Sequence, residues 1–307
     1  MKKSLVFWVE RYLYKPSFSQ SIIAFFLLPL SFLYCFIVWI KYKKAVAKSY
    51  GIDVVSIGNL SVGGSGKTPL TTALALHYEN VAILLRGYGR RSKGLHVISN
   101  GKEILCDVEV SGDEAMIYAQ KLPHAIVIVS EIREEGISKA KEMGAKLVFL
   151  DDGYSKHHIE KLDILINVES KNSFCLPSGP YREKIWSGKK VVILKDGTDF
   201  KRVVHVENPT QKMALVTAIA RPQRLDPYLP ELTCKHYFED HHFFTKEELQ
   251  EILHVSGANS LLVTYKDYVK IKDFGITISL LDLEVEVDKR VYEIIDNYIK
   301  DNHAKKD

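Results

Sequence analysis

The stretch Gly58-Asn59-Leu60-Ser61-Val62-Gly63-Gly64-Ser65-Gly66-Lys67-Thr68-Pro69 carries the clearest chemistry in this chain. An apolar strand pattern, Val54–Ile57, precedes it and helical spacing begins at Lys67, the context in which a glycine-rich turn binds phosphate. Glycines let the backbone bend so that successive N–H groups point at phosphate oxygens, and the helix N-terminus adds a favourable dipole. Ser61, Val62, Gly63, Gly64, Ser65, Gly66, Lys67 and Thr68 would form the cradle. Lys67 would bridge the β- and γ-phosphates of a nucleotide, and the Thr68 hydroxyl would ligate Mg²⁺. The strict pattern has glycine at position 61, where this chain has Ser61; the three later glycines supply the flexibility instead. A turn with no ligand is the competing reading, and the ordered strand, loop, Gly-Lys-Thr and helix weigh against it.

Downstream, Lys146-Leu147-Val148-Phe149-Leu150-Asp151-Asp152-Gly153 is an apolar strand ending in two carboxylates. An acid at such a strand end holds Mg²⁺ in P-loop proteins, although Asp-Asp-Gly is also a common turn. Neighbouring strand side chains face opposite ways, so Asp151 and Asp152 need not share a role. Asp113 and Glu114 open a helix, where acids complement the dipole with or without catalysis. Arg86-Gly87-Tyr88-Gly89-Arg90-Arg91 sets cations in a glycine-rich turn suited to phosphate or simply to solvent. His241 and His242 follow Glu239 and Asp240; adjacent histidines on a strand diverge, which favours hydrogen bonding or acid–base work over chelation. The same holds for His157 and His158.

The elements that would position these groups follow an α/β rhythm. Short apolar runs at 54–57, 81–85, 125–129, 147–150, 164–168 and 191–194 alternate with helical spacing at 67–78, 112–122 and 131–143. That alternation predicts a mostly parallel sheet flanked by helices, as in P-loop NTPases. A second group follows, with strands at 214–219, 234–238, 261–264 and 276–287 and helices at 245–253 and from about 288. The Gly- and Pro-containing segment 170–210 reads as a connection. The organisation expected is an N-terminal segment (1–48), a P-loop domain (49–200) and a smaller C-terminal α/β domain (201–307) that completes the cleft.

Residues 21–40 contain no charge, and a helix of that length extends about 30 Å, close to the hydrocarbon thickness of a bilayer. Trp8, Tyr12, Tyr14, Trp39 and Tyr42 flank the run as interfacial residues do. A signal peptide has a shorter apolar core and a small-residue cleavage site, and neither is visible. A buried core helix is the other alternative to membrane association. Basic residues lie on both flanks and Pro29 sits within, so spanning and dipping into one leaflet stay open. Across 307 residues, 46% hydrophobic and 26% charged content is that of a globular protein, and a net charge of +4 without an aromatic-laced basic stretch argues against nucleic acid. Cys35, Cys106, Cys175 and Cys234 show no paired spacing, so neither a zinc site nor a disulfide framework is expected, and a reducing cytosol fits.

Taken together and in order, these blocks resemble the tetraacyldisaccharide 4'-kinase family, the lipid A 4'-kinases of Gram-negative bacteria. The matching blocks are GNLSVGGSGKTP (58–69), RGYGRR (86–91), GDEA (112–115), LDDGY (150–154), LPSGPYRE (176–183), ARPQR (220–224), FEDHHFF (238–244) and TYKD (264–267). The resemblance implies a kinase using ATP and Mg²⁺ that phosphorylates the 4'-hydroxyl of tetraacyldisaccharide 1-phosphate to give lipid IVA. It implies Asp113 as the catalytic carboxylate, supported by His241 or His242, with Asp151 and Asp152 as metal acids. It also implies Arg86, Glu114, Arg182 and Arg221 as substrate or phosphate contacts. An acylated disaccharide phosphate and the inner membrane would be its partners, with the catalytic part on the cytoplasmic face as a monomer. The chain departs from the family where Tyr154, Ser155 and Lys156 stand in place of Phe-Gln-His, and where Tyr265 replaces a glutamate. A GTPase-like switch would need an Asn-Lys-x-Asp segment, which is absent; a transport or partition ATPase would hydrolyse ATP without a lipid acceptor.

Overall fold

A computed structural model describes residues 2–168, 170–219, 222–240 and 242–304, with side chains from residue 8 onward. The N-terminal segment forms three helices, α1 (Lys2–Tyr14), α2 (Phe18–Phe26) and α3 (Leu28–Lys44). Ser17 and Gln20 build a reciprocal capping box at the start of α2. The apolar run expected as one helix is broken at Leu27: Pro29 lies in the first turn of α3, where its missing N–H costs nothing, and the axes bend by 58°. Among the described residues no single helix is long and apolar enough to cross a membrane, while this bent pair reaches that length and composition together.

The next part alternates as the sequence predicts: β1 (Asp53–Gly58), α4 (Lys67–Ala75), β2 (Val81–Leu85), β3 (His96–Asn100), α5 (Val108–Ser111) and α6 (Asp113–Lys121). It continues through β4 (Ile126–Val129), α7 (Arg133–Glu142), β5 (Leu147–Asp151), β6 (Leu162–Ile166) and β7 (Val192–Leu194). These strands form a sheet in the order β3-β4-β2-β5-β1-β6-β7, parallel except for the edge strand β3. Successive residues feed two cores. Val55, Ile57, Ile83, Leu85, Val127 and Phe149 pack on one face with Leu70 and Leu74 of α4 and Ala115 and Tyr118 of α6. Val54, Leu84, Ile128, Val148 and Leu150 pack on the other with Ile137 and Ala140 of α7. Burial on both faces explains why these strands read as continuous apolar runs.

The second sheet holds β8 (Phe200–Glu207), β9 (Met213–Thr217), β10 (Cys234–Tyr237), β11 (Ser260–Thr264) and β12 (Ile278–Val287), in the order β10-β9-β11-β12-β8. Helices α8 (Lys246–Ser256) and α9 (Tyr265–Ile271) accompany it. The segment 170–210 is therefore not only a connection: β8 lies at its end, paired antiparallel with β12 over eight residues. The last helix, α10 (Lys289–Ala304), returns to the first sheet, where Val291 and Ile295 join its core and Asn302 donates to Asp53 at 3.0 Å.

One cysteine expectation is corrected. Cys35 of α3 and Cys175 are joined as a disulfide with their Cα atoms 6.1 Å apart. A separation of 140 residues leaves no local spacing to betray the pair.

Candidate active site

Strand order creates the site. β5 lies beside β1, with Asp151 in register with Ile57, so the two carboxylates emerge next to the turn that follows β1. That turn passes Gly66 at φ 80°, a left-handed conformation suited to glycine, before α4 begins at Lys67. Its outer wall is the segment 180–183: Val62 N–H donates to the Pro180 carbonyl at 2.9 Å, and Arg182 and Glu183 N–H groups donate to the Leu60 carbonyl. The Tyr14 hydroxyl of α1 donates to the Val62 carbonyl. From the C-terminal part, Arg202 of β8 donates to the Ser65 carbonyl at 3.0 Å, and Arg224, in a 3₁₀ helix over Pro222–Tyr228, donates to the Gly64 carbonyl.

Lys67 lies 3.7 Å from Asp152 and donates to Asn59 at 3.2 Å. Arg182 meets both of these partners, donating to Asp152 and, at 3.2 Å, to Asn59. Burial alone would raise the Asp152 carboxyl, but Lys67 and Arg182 outweigh it and hold the group below its ordinary range. Asp152 occupies φ 56°, a left-handed position that aspartate tolerates better than most residues. Gly153 then has no room for a side chain, since a Cβ would stand 2.7 Å from Leu150 and 2.9 Å from Ser56.

Asp151 is different. It is 3% exposed, accepts from the Tyr118 hydroxyl at 3.0 Å through Oδ2, and leaves buried Oδ1 without a hydrogen-bond partner. Burial, then the nearby Glu114 charge, raises its carboxyl to about 7 against the pull of Lys67. A buried carboxylate oxygen without a partner, beside Lys67 and the phosphate turn, fits a cation brought in with a nucleotide. Among the described residues no group of three or more His, Cys, Asp or Glu could hold a metal by itself. Magnesium at nucleotide sites takes one or two carboxylates plus phosphate oxygens, so that finding is consistent with the turn.

Cations gather around the two acids. Arg133, at the start of α7, is buried, donates to the Ser130 carbonyl, and leaves its Nε without a partner. Burial lowers its guanidinium pKa while Asp151 and Asp152 raise it and Arg86 lowers it further. Lys156 joins the cluster, its ammonium shifted down by burial and by Arg133. Arg133 had no motif to mark it, and an arginine at the start of a helix after an apolar strand was the available signal; Asn59 lies within the block 58–69, whose pattern assigns it no role.

Asp113, the first residue of α6, is buried and sits 3.0 Å from the Lys270 ammonium of α9. Lys270 also donates to the His242 carbonyl at 3.2 Å. The His242 ring does not reach toward Asp113 through any of its hydrogen bonds: it lies 3.0 Å from Glu248 and stacks on Phe238 at 4.8 Å. His241 and Arg221 lie outside the described residues. His157 is drawn into another cluster, 3.0 Å from the Lys189 ammonium. Tyr265, which replaces the family glutamate, supports Lys121, whose ammonium lies 4.4 Å from the ring centroid and bonds Asp282 at 2.5 Å. A cavity of about 1130 Å³ opens between the two sheets, bordered by Gly66, Thr68, Glu114, Lys121, Arg202 and Tyr228 among others.

The family model for tetraacyldisaccharide-1-P 4'-kinase matches residues 23–300. Tetraacyldisaccharide 4'-kinase of Aliarcobacter butzleri is 46% identical over 97% of this chain and 99% of its own length. The Campylobacter jejuni enzyme of the same name is 46% identical over 98% of each chain, and that of Helicobacter acinonychis 46% over 95% of each. Among solved structures, the "apo" form of LpxK from Aquifex aeolicus in complex with ATP superposes with a TM-score of 0.71. It is 26% identical and covers 90% of this chain and 99% of its own. With the family model matching residues 23–300 and relatives matching nearly end to end, the chain belongs to the tetraacyldisaccharide 4'-kinase family.

Proposed function

We propose that this kinase transfers the γ-phosphoryl group of ATP to the 4'-hydroxyl of tetraacyldisaccharide 1-phosphate, giving lipid IVA, at the junction of the phosphate turn, Asp151 and Asp113. The observation that carries the site assignment is the unpartnered Oδ1 of buried Asp151 beside Lys67 and Asp152. Ser61–Thr68 would bind the phosphates through backbone N–H groups, with Lys67 exchanging Asn59 and Asp152 for phosphate oxygens. Thr68 and Asp151 would hold Mg²⁺, with Asp152, the more exposed of the two acids, beside them and paired with Lys67 and Arg182. Bound with ATP, Mg²⁺ neutralises charge on the phosphate oxygens. Arg182, Arg133 and Arg86 add to that neutralisation around the transferring group. Asp113 aligns the sugar hydroxyl and receives its proton as the new O–P bond forms and the bond from the γ-phosphorus to the bridging oxygen breaks, that oxygen leaving on ADP. Glu114, next along α6, borders the cavity on the side of the metal acids.

Part of that cavity would receive the nucleotide beyond its phosphates, with residues 49–200 as the nucleotide-binding part and 201–307 closing over it. The N-terminal helices would attach the enzyme to the inner membrane, catalytic part on the cytoplasmic face. Phe18, Phe25, Phe26, Phe32, Leu33 and Phe36 are all exposed on α2 and α3, an apolar surface that a bilayer would cover. The bend between those helices suits a dip into one leaflet better than a straight span.

The assay is direct. Purified protein, labelled ATP, Mg²⁺ and acylated disaccharide 1-phosphate should yield labelled lipid; ATP consumption that ignores the lipid would overturn the reading.

A further inference from the structure

We infer that Lys270 is a positioning residue for Asp113, fixing that carboxylate against the backbone carbonyl of His242 so that it faces the acceptor hydroxyl. The inference rests on the reading of Asp113 as the group that receives the hydroxyl proton.

Several observations meet at this lysine. Its side chain is 2% exposed and that of Asp113 is 5% exposed, so the 3.0 Å ion pair is shielded from water. A buried charge pair constrains geometry far more than an exposed one, because separating it strands two charges. The two partners come from helices packed on different sheets: Asp113 opens α6, which packs on the first sheet, and Lys270 lies on α9, which packs on the second. The same ammonium donates to the His242 carbonyl, so one atom ties the carboxylate to the backbone of the histidine loop. Phe244 of that loop places its ring centroid 6.0 Å from the ammonium.

The mount of Lys270 is rigid. One turn earlier on α9, buried Asp267 accepts from the Thr217 hydroxyl at 2.7 Å, the Thr264 hydroxyl at 2.7 Å and the Ala218 N–H at 3.0 Å. Those bonds fasten the start of α9 to the end of β9 and β11. Val269 and Tyr265 pack on Met116 and Ile117, locking α9 along α6. An ammonium held this way sets the direction of a carboxylate without touching the substrate. Lys270 therefore acts through Asp113 and is not itself catalytic.

The test is a double-mutant cycle read in kcat and in KM for ATP, with thermal melting to confirm folding. Lys270→Met is expected to lower kcat about 10²-fold, the scale of a misplaced catalytic group, with KM for ATP changed by less than about twofold. In an Asp113→Asn background the same substitution is expected to change kcat by less than about twofold, because its effect passes through the carboxylate. Near-normal kcat for Lys270→Met, or a full further loss in the Asp113→Asn background, would overturn the role of Lys270 alone. Near-normal turnover by Asp113→Asn would overturn the reading of Asp113 and this inference with it. If Lys270→Met does not fold, Lys270→Gln, which keeps a donor, enters the same cycle: a smaller loss of kcat that disappears in the Asp113→Asn background supports the role, and an equal loss in both backgrounds overturns it.

Discussion

At the residue scale the two neighbouring aspartates divide their labour through their surroundings. Asp152 is stabilised as an anion by Lys67 and Arg182, whereas Asp151 is buried against Tyr118 with one oxygen unused. Removing the anion at 151 should therefore cost activity more than it costs the fold. Asp151→Asn is expected to lower kcat 10²- to 10³-fold, the range for losing one preorganised charge-stabilising group, while melting no lower than the parent. A variant with more than a tenth of parental kcat would contradict the assignment. Arg133→Met is expected to lose about 10²-fold on the same ground, and steady-state kinetics at saturating ATP would show it. Lys67, Asp151 and Asp152 could be singled out as candidates in the sequence because the Gly-Lys-Thr turn and the strand-end Asp-Asp mark them, whereas Asp113 stood out only through the family resemblance, since an acid opening a helix complements the dipole with or without catalysis. Arg133 and Lys270 could not be singled out, because what defines them is a partner supplied by another element, the two acids and Asp113; Asn59 lies inside the phosphate turn, but its bond to Lys67 appears only in the fold. The change from Gln-His to Ser155 and Lys156 also gains meaning only in three dimensions, where Lys156 adds a cation beside Arg133.

At the scale of elements, the inner strands of the first sheet could be read almost to the residue because burial on both faces gives unbroken apolar runs. The edge strands β3 and β8 could not. β8, with the sequence FKRVVHVE, is half solvated and follows a segment of turns, and its identity depends on pairing with β12. α9, at seven residues, is too short for helical periodicity to stand out. The start of β6 yields a pH prediction. Lys161, 1% exposed and close to Lys189, has its ammonium shifted down to about 8, chiefly by burial. An unfolded lysine holds its proton to about 10.4. Between those values the unfolded chain binds more protons, so this group makes stability rise as pH increases through that window, and its burial cost is fully present below it. Melting temperature measured from pH 8 to about 10 should climb more steeply in the parent than in Lys161→Met; parallel curves would sink the claim. For α2 and α3, replacing Phe25 and Phe26 by Ser should weaken sedimentation with phospholipid vesicles by at least tenfold. Each ring contributes about 1.5–3 kcal/mol when it leaves water. Unchanged vesicle binding would remove these helices from the attachment surface.

At the scale of the molecule, the chain crosses back on itself. α10 follows the second sheet in sequence yet seats Val291 and Ile295 in the core of the first. Ile295→Ala should cost about 2–5 kcal/mol, seen in denaturant melts as a loss of cooperative stability in the nucleotide-binding part. Selective loosening of the second sheet, read by hydrogen exchange, would be the contrary result. The two halves meet elsewhere through Asp113–Lys270, Lys121–Asp282 and Arg202 on the Ser65 carbonyl.

The contact between Tyr14 and the Val62 carbonyl carries a practical lesson. Tyr12, two residues earlier on α1, reaches the Pro177 carbonyl at 3.0 Å, and Cys35 is bonded to Cys175 close by. What looks from outside like a detachable handle is part of the scaffolding around the nucleotide's grip. A shortened enzyme beginning after Lys44, made for easier handling, would forfeit those braces, and its slower turnover would reflect a slackened loop as much as a lost hold on lipid.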